Sequence, residues 1–275
     1  MIVSRQIEDG FFLDFWNELT IEMTRIELEN YLDQLLSPQK FEDYAPNGLQ
    51  VEGKAEIKRI AFSVSATLES IDLTLQFGAD ALLVHHGLFW KFQGAKTLTG
   101  AFAKRVYPLV RHGISLFAYH LPLDAHPEVG NAAAIADRIG LIERAPFGDF
   151  KGSPTGIQGL LPRPRIVREM QQELERVLDH PVLLASPDRE MRMRSVGVIT
   201  GGANHDWVYA ARANLDAFIT GEMSEHDWHD SREAGIHMFA GGHHATERFG
   251  IQTLMKKIQR DFSLECRFFD SQNPA

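Results

Sequence analysis

The chain has 275 residues, 44% of them hydrophobic, enough for one large domain or two small ones. Its formal net charge is -9 and it has no lysine- or arginine-rich run, which argues against direct nucleic-acid binding as the main task. A single cysteine, Cys266, excludes an intrachain disulfide and any CxxC motif and fits a reducing, cytoplasmic compartment, and no apolar run approaches the roughly 20 residues of a membrane span.

Residues 1–22 lack the basic and apolar regions of a signal peptide. They read either as an extension, disordered or due to a misassigned start, or as a docking arm for a partner subunit, because Phe11, Phe12, Phe15 and Trp16 are costly to expose. From Met23, MTRIELENYLDQLL has helical periodicity. YAPNGLQVEG (44–53) is a turn-rich loop that either lines a pocket or joins a helix to a strand. Strand-like and helix-like segments then alternate, the mark of an α/β protein. The first part reads strand 57–66, helix 68–78, strand 79–86, helix 98–113, strand 114–120 and helix 131–140. The section 141–190 is less regular, with a strand at 156–161, a helix at 165–178 and a short strand at 180–186. The rest reads strand 195–200, helix 205–214, strand 215–220, helix 225–235, strand 236–242, helix 245–260 and strand 264–270.

This order repeats loosely. KRIAFSVSAT matches MRSVGVITGG, FGADALLVHHG matches ANLDAFITGEM, and HGISLFAYHLPLD matches AGIHMFAGGHHATE. The pattern predicts two related α/β lobes with mixed or mostly parallel sheets, residues 23–140 and 141–275, with polar strand ends meeting in the cleft between them. The segment 240–275 is able to pack back on the first lobe.

Ligands of α/β sheets bind outside the carboxyl ends of the strands. Residues at those ends are one-sided in type: His85, His86, His120, Asp124 and His126 in the first half, then Glu222, Glu225, His226, His243, His244 and Glu247. Imidazole with carboxylate suits Zn, Fe, Mn, Co or Ni. His243 and Glu247 are four apart, on one face of a helical turn. His85, His86, Asp124, His243 and Glu247 are too many ligands for one tetrahedral site with an open position. They suit two divalent transition-metal ions about 3.5–4 Å apart, bridged by a carboxylate, here Glu247, and a water. Such a water becomes a hydroxide nucleophile near neutral pH, which fits hydrolysis of an amide-like, ring C–N or phosphoester bond. His120 and Glu222 are the candidate proton shuttles.

Other residues have plainer readings. His112, His180, His205 and His237 read as satisfied polar groups, His126 as the cap of the loop before Pro127, and His229 as a solvated helix residue. Glu225, His226 and Asp230 read as surface charges. No phosphate loop of the GxxxxGK type and no GxSxG elbow occurs.

DYAPNGLQVEG, GADALLVHHGLFWK, HLPLDAHPEVGN, DAFITGEMSEH and AGGHHATERFGI together resemble the Nif-three-like dinuclear metal family, also labelled GTP cyclohydrolase type 2 homologue, in its short bacterial form. The likeness covers about residues 23–275. It implies two α/β lobes per chain, a homo-hexamer built as a trimer of dimers, and a dinuclear metal site in each subunit. The family's ligand pattern falls on His85, His86, Asp124, His243 and Glu247. It selects His243 over His244 and puts Glu247 on both ions. The function expected is a metal-dependent hydrolase of a small molecule, such as a purine nucleotide. The alternatives are a non-catalytic metal-binding regulatory or metal-delivery hexamer, or a protein partner in transcription.

Overall fold

The computed structural model describes residues 23–275. The two readings of residues 1–22 lie outside the described residues. In chain order the first half runs β1 (Met23–Thr24), α1 (Arg25–Leu36), β2 (Gly48–Val51), β3 (Glu56–Ile57), β4 (Arg59–Ser65), α2 (Leu68–Phe77), β5 (Ala81–His86), α3 (Gly100–His112), β6 (Ser115–Ala118), α4 (Leu121–Asp124) and α5 (Asn131–Ile139). The second half runs β7 (Ile142–Phe147), β8 (Gly156–Ile166), α6 (Val167–Leu178), β9 (Leu183–Ala185), β10 (Arg192–Val198), α7 (Trp207–Arg212), β11 (Ala217–Thr220), α8 (Glu225–Glu233), β12 (His237–Ala240), α9 (His243–Phe262) and β13 (Glu265–Phe268).

β1 and β3 pair as a two-stranded ribbon, and the other strands form a five-stranded sheet, β13-β4-β5-β6-β2, and a six-stranded sheet, β7-β8-β10-β11-β12-β9. Both are mixed. In the first, β2 alone runs antiparallel to its neighbour. In the second, β10, β11 and β12 are parallel, while β7, β8 and β9 pair antiparallel. The sequence repeat is visible in this topology. β4-β5-β6-β2 and β10-β11-β12-β9 share strand order and direction, three parallel strands closed by an antiparallel edge. The repeated Asp-Ala also has one task in both halves. Asp80 Oδ2 accepts the amides of Lys58 and Arg59, and Asp216 Oδ2 accepts those of Arg194 and Ser195. Each aspartate thus joins the strand that follows it to the strand before.

Helices cover both faces of each sheet, because each helix buries one apolar stripe. Thr24 and Glu27 close a capping box on α1, which buries Leu28, Leu32 and Leu36. These pack with Phe62, Leu83 and Tyr119 of the first sheet's side and with Ile251, Leu254 and Ile258 of α9. Phe249 of the same helix joins the core of the second sheet. At 20 residues, α9 therefore stitches the two sheets together, and β13 returns the chain to the first sheet beside β4.

Some expectations need correction. Gly48–Val51 is an edge strand on β6, not loop. The section 141–190 contains β7 and an 11-residue β8 where the sequence suggested one short strand. A short helix, α4, follows β6, and α9 starts at His243 rather than Ala245. No helix among the described residues is long and apolar enough to cross a membrane.

Candidate metal centre

β5 ends in His85 and His86, and beyond a strand's end side chains are no longer held to alternate faces. Their ring centroids lie 4.6 Å apart. Gly87 follows, and close packing accounts for the glycine. A Cβ there would lie 2.3 Å from Gln50 Oε1. Gln50 needs that closeness, since its Oε1 accepts the Leu88 amide at 2.8 Å and so fixes the chain just after the histidines.

Glu247 stands opposite, one turn into α9 and nearly fully buried. Its Oε1 is 3.5 Å from His85 Nε2, and its Oε2 is 3.1 Å from both His86 Nε2 and His243 Nε2. His85 Nε2 also lies 3.5 Å from Asp124 Oδ2. Three sets of donor atoms thus lie close enough to share an ion: His85 with Asp124 and Glu247, His86 with His243 and Glu247, and His85 with His86 and His120. Glu247 belongs to two of them. The structure brings together all five residues expected as ligands, with His120 beside them. His244 instead turns away to Asp270, 2.8 Å from its Nε2.

The far side of each donor is anchored, which fixes where its lone pair points. The Tyr119 carbonyl can only accept, so His85 Nδ1 carries the proton of their 3.1 Å contact. In its neutral form, the form that binds a metal, His85 would present a bare Nε2 to the cluster. That atom and Glu247 Oε2 are buried and have no hydrogen-bond partner among the described residues. Buried polar atoms are normally satisfied, so two such atoms facing one cluster are suited to share a positive partner. His86 Nδ1 is 3.0 Å from Ser65 Oγ, and His243 Nδ1 donates to Glu222 Oε1 at 2.5 Å. Asp124 Oδ1 accepts from Asn131 Nδ2 and Thr200 Oγ1, which leaves Oδ2 toward His85. Anchors of this kind orient metal-binding side chains and fix their tautomers.

The groups of the cluster shift one another's titration. Burial pulls His85 down, but Asp124 and Glu247 together outweigh it and raise the imidazole to about 9. Burial likewise opposes His243, which Glu247 and Glu222 raise to about 9. For His86 burial wins, and its imidazole falls to about 4. Burial pushes Glu247 up, yet the surrounding imidazoles, His86 first, hold it well below the usual carboxylate range.

His120 occupies a separate arm. Its Nδ1 is 2.7 Å from Asp43 Oδ1, and its amide donates to Asn47 Oδ1 at 2.7 Å. Asp43 is buried, and its Oδ2 also accepts from Asn47 and the Leu121 amide. Burial pushes its carboxyl up, but His120 and these donors hold it below the ordinary value. The sequence reading missed Asp43, Asn131 and Thr200. Only the NG pair near Asp43 offered any signal. The cluster floors a cavity of about 660 Å³ whose wall includes Tyr44, Trp90 and Phe150. Trp90 meets His120 edge-on at 5.1 Å, and Tyr44 packs on Phe150 at 4.7 Å. Among the plainer histidines, His126 Nδ1 caps its loop by accepting two amides, and His237 is buried on Ser186 Oγ.

Fold and cluster together define a mixed α/β protein with a carboxylate–imidazole group suited to divalent metal ions. The chain belongs to the Duf34/NIF3 (NGG1p interacting factor 3) family, whose pattern matches residues 23–274. It is 41% identical over 254 residues to a Haemophilus influenzae protein named "GTP cyclohydrolase 1 type 2 homolog", covering 92% of this chain and all of that one. It also superposes on two solved structures over 92% of its length and all of theirs. One is "protein ybgI, unknown function", with a TM-score of 0.85 at 39% identity. The other is TTHA1606 from Thermus thermophilus, with a TM-score of 0.83 at 30% identity.

Proposed function

We propose that the chain is a metal-dependent hydrolase of a small molecule, built on two divalent transition-metal ions. His85 and Asp124 would hold one ion, His86 and His243 the other, and Glu247 would reach both. The observation that carries this reading is the pair of orphaned, buried atoms, His85 Nε2 and Glu247 Oε2. Two such ions supply Lewis acidity and a water of lowered pKa.

The protein's own groups do the rest. The Asp43–His120 pair is built to move a proton, since Asp43 fixes the ring and keeps Nδ1 protonated, leaving Nε2 to exchange its proton. Glu222 has a different role from the proton shuttle first expected. It is half-exposed and bonded to His243 Nδ1, so it orients that imidazole. Tyr44, Trp90 and Phe150 give the cavity aromatic walls that suit a planar ring substrate, and a purine nucleotide fits both this wall and the name of the relatives. The size of the cavity favours catalysis over simple metal delivery, which needs no substrate space. The exposed Phe92, Leu98, Tyr107 and Val110 support self-association, in keeping with a hexamer. The one thiol, Cys266, is pushed up to about 12 by burial and so is unreactive, as suits the cytoplasm.

The test is metal content per chain by plasma mass spectrometry. Wild type is expected to carry about two ions and Glu247→Ala to lose most of them with its circular dichroism unchanged. Full metal content in Glu247→Ala would remove the bridging role. His120→Ala should keep its ions and lose about 10²- to 10⁴-fold in turnover of a hydrolysed nucleotide. A metal-loaded wild type that hydrolyses no small molecule would instead support the delivery reading.

A further inference from the structure

A second group of donor atoms lies outside this cluster. His205 belongs to the short turn Asn204–Asp206 before α7, while His226 and Asp227 sit in the first turn of α8. The sequence reading gave His205 the role of a satisfied polar group and His226 that of a surface charge. The structure places one ligand atom of each of the three residues within 4.8 Å of the others. We infer that His205, His226 and Asp227 form a third site, which takes a single exchangeable divalent transition ion at the wall of the cavity. This inference does not depend on the buried centre.

Asp227 is fully buried, although both histidines are exposed. Its Oδ1 accepts from Trp207 Nε1 at 3.0 Å and lies 2.9 Å from His205 Nδ1. A carboxylate in that position draws the proton to Nδ1 and leaves His205 Nε2 with a free lone pair. His226 Nε2 stands 3.2 Å from that nitrogen. Two nitrogens each about 2.0 Å from one tetrahedral ion lie roughly 3.3 Å apart, so the two rings already have ligand spacing. Without an ion, one of these nitrogens must donate a proton to the other. Asp227 Oδ1 is also 3.7 Å from His226 Nε2, close enough to neutralise part of the ion's charge. The arrangement is held from behind. Asn204 Nδ2 donates to Ser224 Oγ at 2.7 Å, and Asp227 Oδ2 accepts the Ser224 amide, so turn and helix are tied together.

Two imidazoles backed by a buried carboxylate suit Zn, Co or Ni and leave coordination positions open to solvent. The imidazole side chains are 72% and 52% exposed, so this site should exchange its ion faster than the buried cluster. His205 lines the same cavity as His86, His243 and Glu247. An ion held there would stand beside the route to the buried donors.

The experiment is equilibrium dialysis of the chelator-stripped full chain against Co²⁺, with bound ions counted per chain. Wild type is expected to bind one Co²⁺ more than the His205→Ala/His226→Ala double variant. The same difference of one should appear when both substitutions are made in a Glu247→Ala background. Equal uptake by wild type and the double variant would overturn the inference, as would absence of the extra ion from Glu247→Ala alone. If Glu247→Ala binds as many ions as wild type while the double variant binds one fewer, the buried centre is wrong and the third site stands. Both substituted side chains are exposed, so loss of the extra ion cannot come from a collapsed core.

Discussion

In the first half of the molecule β5 ends in two imidazoles, whereas its counterpart β11 ends at Thr220, with Gly221 next. β4 ends at Ser65, which touches His86, whereas the chain beyond β10 reaches Thr200, Gly201 and Gly202. The scaffold is shared down to the Asp80 and Asp216 braces, but only one half brings imidazoles on its strand ends. The other half is pared to glycine there because α9 brings His243 and Glu247 into that space. A Cβ on Gly201 would lie 2.0 Å from Glu247 Oε1, and one on Gly221 would lie 2.7 Å from the His243 Cα. One half donates and the other makes room, so a repeated frame yields an asymmetric site.

The strongest way to break this comparison is Gly201→Ala. The residue has a φ of +67°, and the added methyl meets the Glu247 carboxylate. The expected outcome is loss of about 1–3 kcal/mol of stability from backbone strain, together with loss of most bound metal. Normal metal content in that variant would show that the glycine-lined half has slack that the structure does not display. A test that reads stability alone, with metal content expected unchanged, addresses the shared frame. Asp80→Ala and Asp216→Ala should each cost about 1.5–3 kcal/mol in urea unfolding, as both remove a charged acceptor of two amides. Asp216 also accepts from Ser195 Oγ, so its loss should be the larger by about 1 kcal/mol. A nearly neutral Asp80→Ala would mean that the halves are alike in shape but not in energetics.

The smallest effect is one of pH. Burial pushes the Asp216 carboxyl up, but the amides of Ser195 and Arg194 outweigh it and hold the folded value below the ordinary one. A depressed folded value means that the stabilisation is complete above the unfolded value of about 3.9 and fades as pH falls through the folded value. The stability gap between wild type and Asp216→Ala should therefore stay constant from pH 7 to about 5 and narrow below about 4. A gap unchanged at pH 3.5 would assign the effect to packing instead.

The alternating elements, the repeat and the clustering of imidazoles at strand ends were legible in the sequence, because period and residue type are local properties. The edges were not. β2 and β7 pair on one side only, so their side chains lack a strong alternation, and β8 carries Pro162 and Pro164 within its 11 residues. The ligand types could be read, but their anchors could not. Nothing near Asn131 shows that its amide will hold Asp124 while its oxygen accepts the Gly250 amide. His205 read as a satisfied polar group and His226 as a surface charge because their spacing is not a motif and only the tie between the turn and α8 brings them together.

The position of α9 also bears on when the protein becomes itself. Its first turn carries His243 and Glu247, and its Gly250 is tied to Asn131, 119 residues earlier. Contacts so distant along the chain form late, after the loops between them have closed. A chain still emerging from the ribosome would have made His85, His86 and Asp124 well before the helix that completes their cluster and their core. Capture of ions in that cluster would then be among the last events of synthesis, and a loaded centre would be the signature of a finished molecule.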